Sequence, residues 1–238
     1  MSIEKLRSSE LDGFIIGTVL GDSSLIKRKV THTAYFKCSH CDAQLQLIKF
    51  KEALLKQIHP TQTNLKQTPR SDWQLNTNCL TYYDKLRLRF YSQGVKIVTR
   101  DLLNKLTPLG LAVWFMDDGQ LALQRDPVTK KIITRRARLW TLSFSYEEHQ
   151  LMQQYFKETW DITPKIYSVK KTGGIKFYLE FNMTNFKKFR EIIKNYIIPI
   201  MLYKIDLKYD ASDPVLYEQY KMDTLIENAK QLIYKLKI

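Results

Sequence analysis

Leu11-Asp12-Gly13-Phe14-Ile15-Ile16-Gly17-Thr18-Val19-Leu20-Gly21-Asp22 and Thr107-Pro108-Leu109-Gly110-Leu111-Ala112-Val113-Trp114-Phe115-Met116-Asp117-Asp118-Gly119 are two apolar stretches that end in carboxylate. Each reads as a helix hydrophobic on nearly every side, a pattern that only a buried element tolerates. Ser9, with Asp12 at the capping-box position, is the expected start of the first. Thr107 as N-cap and Pro108 at the first helical position start the second. Asp22 and Asp118 stand 96 residues apart, room for one small α/β unit per half.

The segments downstream of the two helices also match. After Asp22 come strand-like stretches at 25–30 and 34–38, then a helix with Leu47, Ile48, Leu54, Leu55 and Ile58 on one face. After Asp118 come strands at 121–124 and 139–144. A helix is next, opened by the capping box Ser145-Tyr146-Glu147-Glu148, with Leu151, Met152, Tyr155, Phe156 and Trp160 on its apolar side. Ile175, Phe177, Leu179 and Phe181 alternate with Lys176, Tyr178 and Glu180, the period of a strand with one buried and one wet face. Thr172-Gly173-Gly174 turns it back onto 163–171 as a hairpin. The first half has a vaguer equivalent at 71–78. Helical segments come next at 82–91 and 186–196, and each half then reaches a lysine, Lys96 and Lys204. The expected organisation is a unit at 1–104, a second at 105–212, and an appended amphipathic helix at 213–238 carrying Leu216, Tyr220, Leu225, Ile226, Leu232 and Ile233.

Charge narrows the function. Among 238 residues, 38 Lys and Arg face 24 acids, a net +14. Residues 1–106 carry +8 of it and 107–238 carry +6, so no basic tail accounts for the excess. A distributed positive surface favours a polyanion, of which nucleic acid is the commonest; an anionic membrane is the weaker alternative. The longest nearly apolar run is far below a bilayer span, and no secretory leader is visible, so the chain reads as intracellular. Three cysteines, Cys38, Cys41 and Cys79, are too few for a disulfide framework. Cys38-Ser39-His40-Cys41 with His32 has one zinc-like spacing and no second pair, so ordinary strand-end residues are the preferred reading.

Gly13, Gly17 and Gly21 recur every four residues and strip one helix face of side chains, at about 0.5–1 kcal/mol per glycine relative to alanine. Something approaches closely there, and the second helix offers the bulky Leu109 and Val113 to that groove. If the two helices pair, Asp22 and Asp118 arrive together at carboxyl-terminal ends, where the helix dipoles already disfavour negative charge. A cation resolves the conflict, and hard oxygen ligands point to Mg²⁺. Singly, each aspartate is an ordinary turn former. A divalent ion between carboxylates in a basic protein suggests phosphodiester hydrolysis, with Lys96 and Lys204 as additional positive charge.

These residues resemble the LAGLIDADG homing endonuclease family. Ile15–Ser23 reads IIGTVLGDS and Leu111–Gly119 reads LAVWFMDDG, two variants of the nine-residue motif with its acidic eighth position at Asp22 and Asp118. The Leu106–Gly119 phrase and 198–204 are similar to single-chain, two-motif, intron-encoded members from yeast mitochondria. The resemblance spans about residues 8–208. It implies an α+β fold of two pseudo-symmetric αββαββα units with a saddle of antiparallel sheets over DNA. It also implies Asp22 and Asp118 as metal ligands helped by the carbonyls of Gly21 and Asp117, and Lys96 and Lys204 as basic site residues. The ion would be Mg²⁺, with Mn²⁺ as a substitute and Ca²⁺ supporting binding only. Ser23 departs from the motif's final glycine.

The expected DNA contacts are Lys27, Arg28, Lys29, Lys37, Arg135, Arg136, Arg138, Lys165, Lys170, Lys171, Lys176 and Tyr178, on strands whose alternation aims half of them at the duplex. The implied activity is a monomeric, site-specific double-strand endonuclease acting in intron homing, in an organelle, on a long asymmetric site. An RNA maturase acting on intron RNA, or a non-catalytic DNA-binding regulator, are the alternatives.

Overall fold

The computed structural model describes residues 6–28, 33–58, 62–70, 72–129 and 131–207. The helix expected over 213–238, and Lys29 and His32, lie outside the described residues. Helix α1 (Ser8–Leu20) leads to strands β1 (Ser23–Lys27) and β2 (Ala34–His40), helix α2 (Leu45–Ile58), strands β3 (Thr63–Gln67) and β4 (Trp73–Thr77), and helix α3 (Thr81–Phe90). A two-residue ladder of β5 (Tyr91–Ser92) and β6 (Val95–Lys96) and a short α4 (Arg100–Leu103) come next. Then α5 (Pro108–Asp118), β7 (Gly119–Arg125), β8 (Ile132–Leu139), α6 (Tyr146–Trp160), β9 (Lys165–Lys171), β10 (Gly174–Phe181) and α7 (Met183–Ile193) repeat the first order. A 3-10 turn, Pro199–Lys204, closes the described chain.

The sheets run β1-β2-β4-β3 and β7-β8-β10-β9, every pair antiparallel. Each half thus keeps the order helix, two strands, helix, two strands, helix. The fold is α+β with antiparallel sheets, as the sequence implies. No helix among the described residues is long and apolar enough to cross a membrane.

Helices α1 and α5 are packed against each other in the core. Phe14, Ile15, Val19, Leu111, Ala112, Val113, Trp114, Phe115 and Met116 are all inaccessible or nearly so. The glycine stripe is where they touch. A Cβ on Gly17 would stand 2.0 Å from the Gly110 carbonyl oxygen, and one on Gly110 would stand 2.3 Å from the Gly13 oxygen. The contact is backbone on backbone. Leu109 and Val113 are buried but are not the knobs expected to fill the groove: Thr107, Gly110 and Asp117 face Gly13, Gly17 and Gly21 instead. The helices therefore approach more closely than bulky side chains at Leu109 and Val113 would allow.

Several local expectations change. Helix α1 begins one residue earlier than Ser9, with Arg7 at the cap and no side-chain cap bond. Asp12 instead accepts from the Tyr82 hydroxyl at 2.7 Å, tying α1 to α3. The strand expected at 139–144 ends at Leu139, because Thr141 and Phe144 close a turn before α6. Its place is taken by Ile132–Leu139, a charged stretch that buries Ala137 and Leu139 on one face. Strand β3 was not legible, having five residues of which Leu65 alone is apolar.

Strand β10 keeps its expected hairpin with β9, turned at Gly173 and Gly174, whose φ values are 94° and 118°. Its predicted wet face is not wet. Tyr178 and Glu180 are buried at 8% and 4% exposure, and Ile175 near the hairpin tip is 66% exposed. The caps at Thr107 and Ser145 form as the sequence indicates, the latter a full capping box with Glu148.

Candidate active site

The close approach of α1 and α5 brings their carboxyl-terminal ends side by side. Asp22 comes just after α1, and Asp118 is the last residue of α5. Burial, then the charges of Asp22 and Asp117, pushes the Asp118 carboxyl up to about 8. Asp22 is raised by the same causes, burial first and then Asp117, although its side chain is 46% exposed. Burial and mutual repulsion outweigh the lysines nearby, and a dication would relieve both.

The lysines of the two halves occupy corresponding places. Lys96 Nζ donates to the carbonyls of Gly21 at 3.2 Å and Ser23 at 3.0 Å. Lys204 Nζ donates to the carbonyls of Met116 at 2.5 Å and Asp117 at 3.1 Å. Lys204 sits on the last carbonyls of α5, and Lys96 on the carbonyl just after α1 and the first of β1, so both are placed at helix ends where the dipole favours cations. Burial lowers both pKa values from the ordinary lysine range, against the acids nearby. The Gly21 and Asp117 carbonyls, expected as ion ligands, are thus also lysine acceptors; a carbonyl oxygen has two lone pairs.

Asp117 has a further role that its backbone does not exhaust. Its side chain is 0% exposed, as is that of Lys51, whose Nζ donates to Asp117 Oδ1 at 2.6 Å and Oδ2 at 2.8 Å. His40 stands 3.0 Å from the Lys51 ammonium through Nε2 and joins Gln44 through Nδ1. Burial and the lysine charge hold His40 down at about 4, so it is the neutral tautomer that accepts from Lys51. Asp22, His40 and Asp117 offer ligand atoms all within 4.8 Å of one another. No cysteine joins this group; Cys38, Cys41 and Cys79 are free, and burial raises the Cys38 thiol to about 11.

The donor set suits a hard dication: carboxylates on adjoining helix ends, raised by burial and by each other's charge, with carbonyl oxygens beside them. Lys51 was missed from sequence, because an α2 lysine among Leu47, Ile48, Leu54 and Leu55 reads as a solvated interruption, and His40 was set aside with its cysteine neighbours as an ordinary strand-end residue. Only the spacing of Lys51 on the apolar face, four residues before Leu55, hinted at burial.

The basic candidates divide by strand register. Lys37 lies opposite Ser24 and Asn76, on the sheet face away from the helices. In the second sheet Arg136 and Arg138 share the corresponding face with Ala122, Gln120 and Glu180; Lys165, Lys176, Tyr178 and Lys171 lie there too. Arg135, opposite Leu123, and Lys170, opposite Ile175, point to the helix side, as does Lys27 opposite Ala34. Arg28 lies just beyond β1, its guanidinium 5.5 Å from the Tyr35 ring.

The outward face of the second sheet is built, not merely charged. Glu180 accepts from Arg136 at 2.8 Å and Arg138 at 2.9 Å. Arg138 lies over the rings of Trp140 and Tyr178, and Tyr178 stacks on Tyr167. Gln120, Tyr167, Gln74 and Asn76 share these outward faces, with Trp140 packed beside them, and were not singled out from sequence, because uncharged residues on a strand face carry no distinguishing signal.

Comparison with known proteins agrees with this architecture. The chain is 26% identical over 195 residues to Protein RecA of Mycobacterium shimoidei, covering 80% of this chain and 45% of that protein. It is 26% identical over 212 residues to the cytochrome b mRNA maturase bI2 of Saccharomyces cerevisiae, covering 80% and 46%. It thus spans about half the length of these curated relatives. A probable intron-encoded DNA endonuclease 3 of Mycosarcoma maydis is 31% identical over 107 residues, 45% of this chain and 69% of that protein. The homing endonuclease I-WcaI, solved bound to its DNA recognition sequence, shares the fold at TM-score 0.68 and 23% identity, over 86% of this chain and 89% of that chain. The family model for LAGLIDADG DNA endonucleases matches residues 13–189. With both nine-residue motifs inside that span and their helices packed backbone to backbone, the chain belongs to the LAGLIDADG DNA endonuclease family.

Proposed function

We propose that the chain is a site-specific DNA endonuclease that lays duplex DNA on the outward faces of its two sheets and hydrolyses one phosphodiester bond in each strand. The observation that carries this reading is the pair Asp22 and Asp118, brought to adjoining helix ends with their carboxyls raised and two lysines beside them. The family and the I-WcaI fold support it, and so does the net charge of +14.

Asp22 and Asp118, with the carbonyls of Gly21 and Asp117, are the residues that would hold Mg²⁺ or Mn²⁺, which lowers the pKa of a bound water and offsets charge on the phosphate. Lys96 and Lys204 neutralise the helix-end carbonyls and bring positive charge to the place where phosphates approach, one lysine per half. On the sheets, Lys37, Arg136, Arg138, Lys165, Lys171 and Lys176 neutralise or read the duplex, and Tyr178 with Trp140 holds Arg138 in place. The repeated units at 1–104 and 105–212 each read a half-site, so one chain acts as a monomer on an imperfectly palindromic target. Action in intron homing, in an organelle, rests on the intron-encoded relatives.

The test is incubation with intronless host-gene DNA. A double-strand break with Mg²⁺, and binding without cleavage in Ca²⁺, is the expected result. Asp22→Asn or Asp118→Asn abolishes the break and leaves DNA affinity within about tenfold, roughly 1.4 kcal/mol. Unchanged cleavage by either variant rejects the site assignment. Similarity to the yeast maturase favours a second reading, assistance of intron RNA splicing; splicing that survives both substitutions would separate it from nuclease activity.

A further inference from the structure

The ends of the two motif helices are not equivalent. Gly21 precedes Asp22, whereas the acidic Asp117 precedes Asp118. The Asp117 carboxylate reaches across to the end of α1, into the space that Gly21 leaves open: a Cβ at Gly21 would stand 2.7 Å from Asp117 Oδ2. There Oδ2 accepts from the Asp22 backbone amide at 3.3 Å and the Thr18 hydroxyl at 3.5 Å. Lys51 grips both carboxylate oxygens from α2.

Among the described residues nothing reciprocal stands in the second half. Gly21 has no side chain to reach toward Asp118. Strand register matches Ser23–Cys38 with Gly119–Leu139, which places Thr141 where His40 stands in the first half. Aligning the buried pairs Leu54–Leu55 and Tyr155–Phe156 places Met152 where Lys51 stands. The second half therefore has an uncharged pair, Thr141 Oγ1 with His149 Nε2 at 2.7 Å, and an apolar Met152 beside it. Among the described residues, a buried lysine and an imidazole meet in the half that the Asp117 carboxylate enters.

We infer that Asp117, clamped by Lys51, is a positioning residue for Asp22 and not for Asp118. A fully buried ion pair is poor value as a stabiliser, since desolvating both charges offsets most of their attraction and apolar residues of equal volume serve as well. Fixing the turn that carries Asp22 is a use that apolar residues could not supply. Asp22 is also the more exposed of the two acids and has the greater freedom to be fixed. In cleavage this makes the strand served by the first half the one sensitive to the clamp. That part rests on the proposed endonuclease activity; the positioning itself does not.

Two readouts test it. In metal-free protein, amide hydrogen exchange is measured at Asp22 and Asp118 in the wild type, in Asp117→Asn, and in the double variant Lys51→Met/Asp117→Asn, which leaves no buried charge unpaired. The Asp22 amide exchanges at least tenfold faster in the double variant while Asp118 stays within threefold; equal change at both, or none, overturns the inference. On DNA, the two strands are labelled separately, and Lys96→Met identifies the strand served by the first half. That strand is cut at least tenfold more slowly by the double variant and the other within threefold, so nicked product accumulates. Equal slowing of both strands overturns the inference with the nuclease reading intact. A wild type that cuts no duplex refutes the nuclease reading, and the exchange data then decide the positioning alone.

Discussion

Substituting Gly17 by alanine tests the geometry on which the acidic centre depends. The new Cβ would lie 2.0 Å from the Gly110 carbonyl oxygen, 2.6 Å from its carbon and 2.9 Å from its Cα. Ordinary contact begins beyond about 3 Å, so α1 and α5 must separate by roughly 1 Å or more. The neighbouring atoms are backbone, and no rotamer can move aside. Forcing a methyl into a close-packed interface costs about 1–3 kcal/mol and more where the backbone must shift. Alanine's better helix propensity returns about 1 kcal/mol. Because only backbone can move here, the cost lies at or above the top of that range, and the balance is a loss of about 2 kcal/mol, or a fall in Tm of roughly 4–8 °C for a chain of this length. Urea denaturation of the metal-free protein measures it, with the m-value unchanged if only the native state is affected. Gly110→Ala behaves alike, since its Cβ would stand 2.3 Å from the Gly13 oxygen. The double variant falls short of the sum by about 1 kcal/mol, because one separation relieves both clashes. Cleavage falls with stability, as widening the helix pair pulls Asp22 from Asp118. A Gly17→Ala protein that is more stable than wild type by about 1 kcal/mol, the value for a helix glycine in open space, would refute the close contact.

The Asp118 carboxyl, raised to about 8, makes stability depend on pH. Its folded value lies above its unfolded value near 4, so the folded state binds the extra proton and the metal-free protein loses stability as pH rises from about 4 to about 8. Ca²⁺ competes with that proton, so the rise in Tm caused by Ca²⁺ grows from about pH 6 to about pH 8 and then levels off. A rise independent of pH would remove Asp118 from the ion site. Glu180→Gln frees Arg136 and Arg138 from their buried anchor and removes one negative charge beside them. Affinity for unrelated duplex then increases while the preference for the target falls by roughly tenfold, about 1.4 kcal/mol. Fluorescence anisotropy on both duplexes at one salt concentration measures the ratio, and an unchanged ratio would mean that neither arginine reads bases.

Much of the architecture was legible because it is written as periodicity. The Gly13, Gly17 and Gly21 stripe announces a close neighbour, and the capping residues at Thr107 and Ser145 announce where α5 and α6 begin. The identity of the neighbour was not legible. Gly110 stands alone in Leu109-Gly110-Leu111-Ala112, where no repeat marks it. The rotation of α5 that presents Gly110 in preference to Val113 is set by packing of Trp114 and Phe115 against α6 and α7. Alternation misled at Tyr178 and Glu180 for a similar reason. A polar residue on a wet strand face becomes buried when stacked rings and arginines cover it, and that cover comes from Arg136, Arg138 and Trp140, some 40 residues earlier. The site divides along the same line. Asp22, Asp118, Lys96 and Lys204 were legible from the repeat, each being one of a matched pair. Lys51 and His40 have no such counterpart; their place beside Asp117, 66 residues from Lys51, exists only in three dimensions.

The glycine seam and the buried clamp differ in what they ask of a partner. Backbone meeting backbone is a generic docking surface, indifferent to which half-molecule supplies it, provided small residues are kept at Gly17 and Gly110. The clamp is a lock with one key. A chimaera that joins this second half to a foreign first half would assemble along the seam yet leave the Asp117 carboxylate stranded unless a lysine were grafted at the position of Lys51. Recombining halves is therefore constrained by a single concealed charge as well as by the seam.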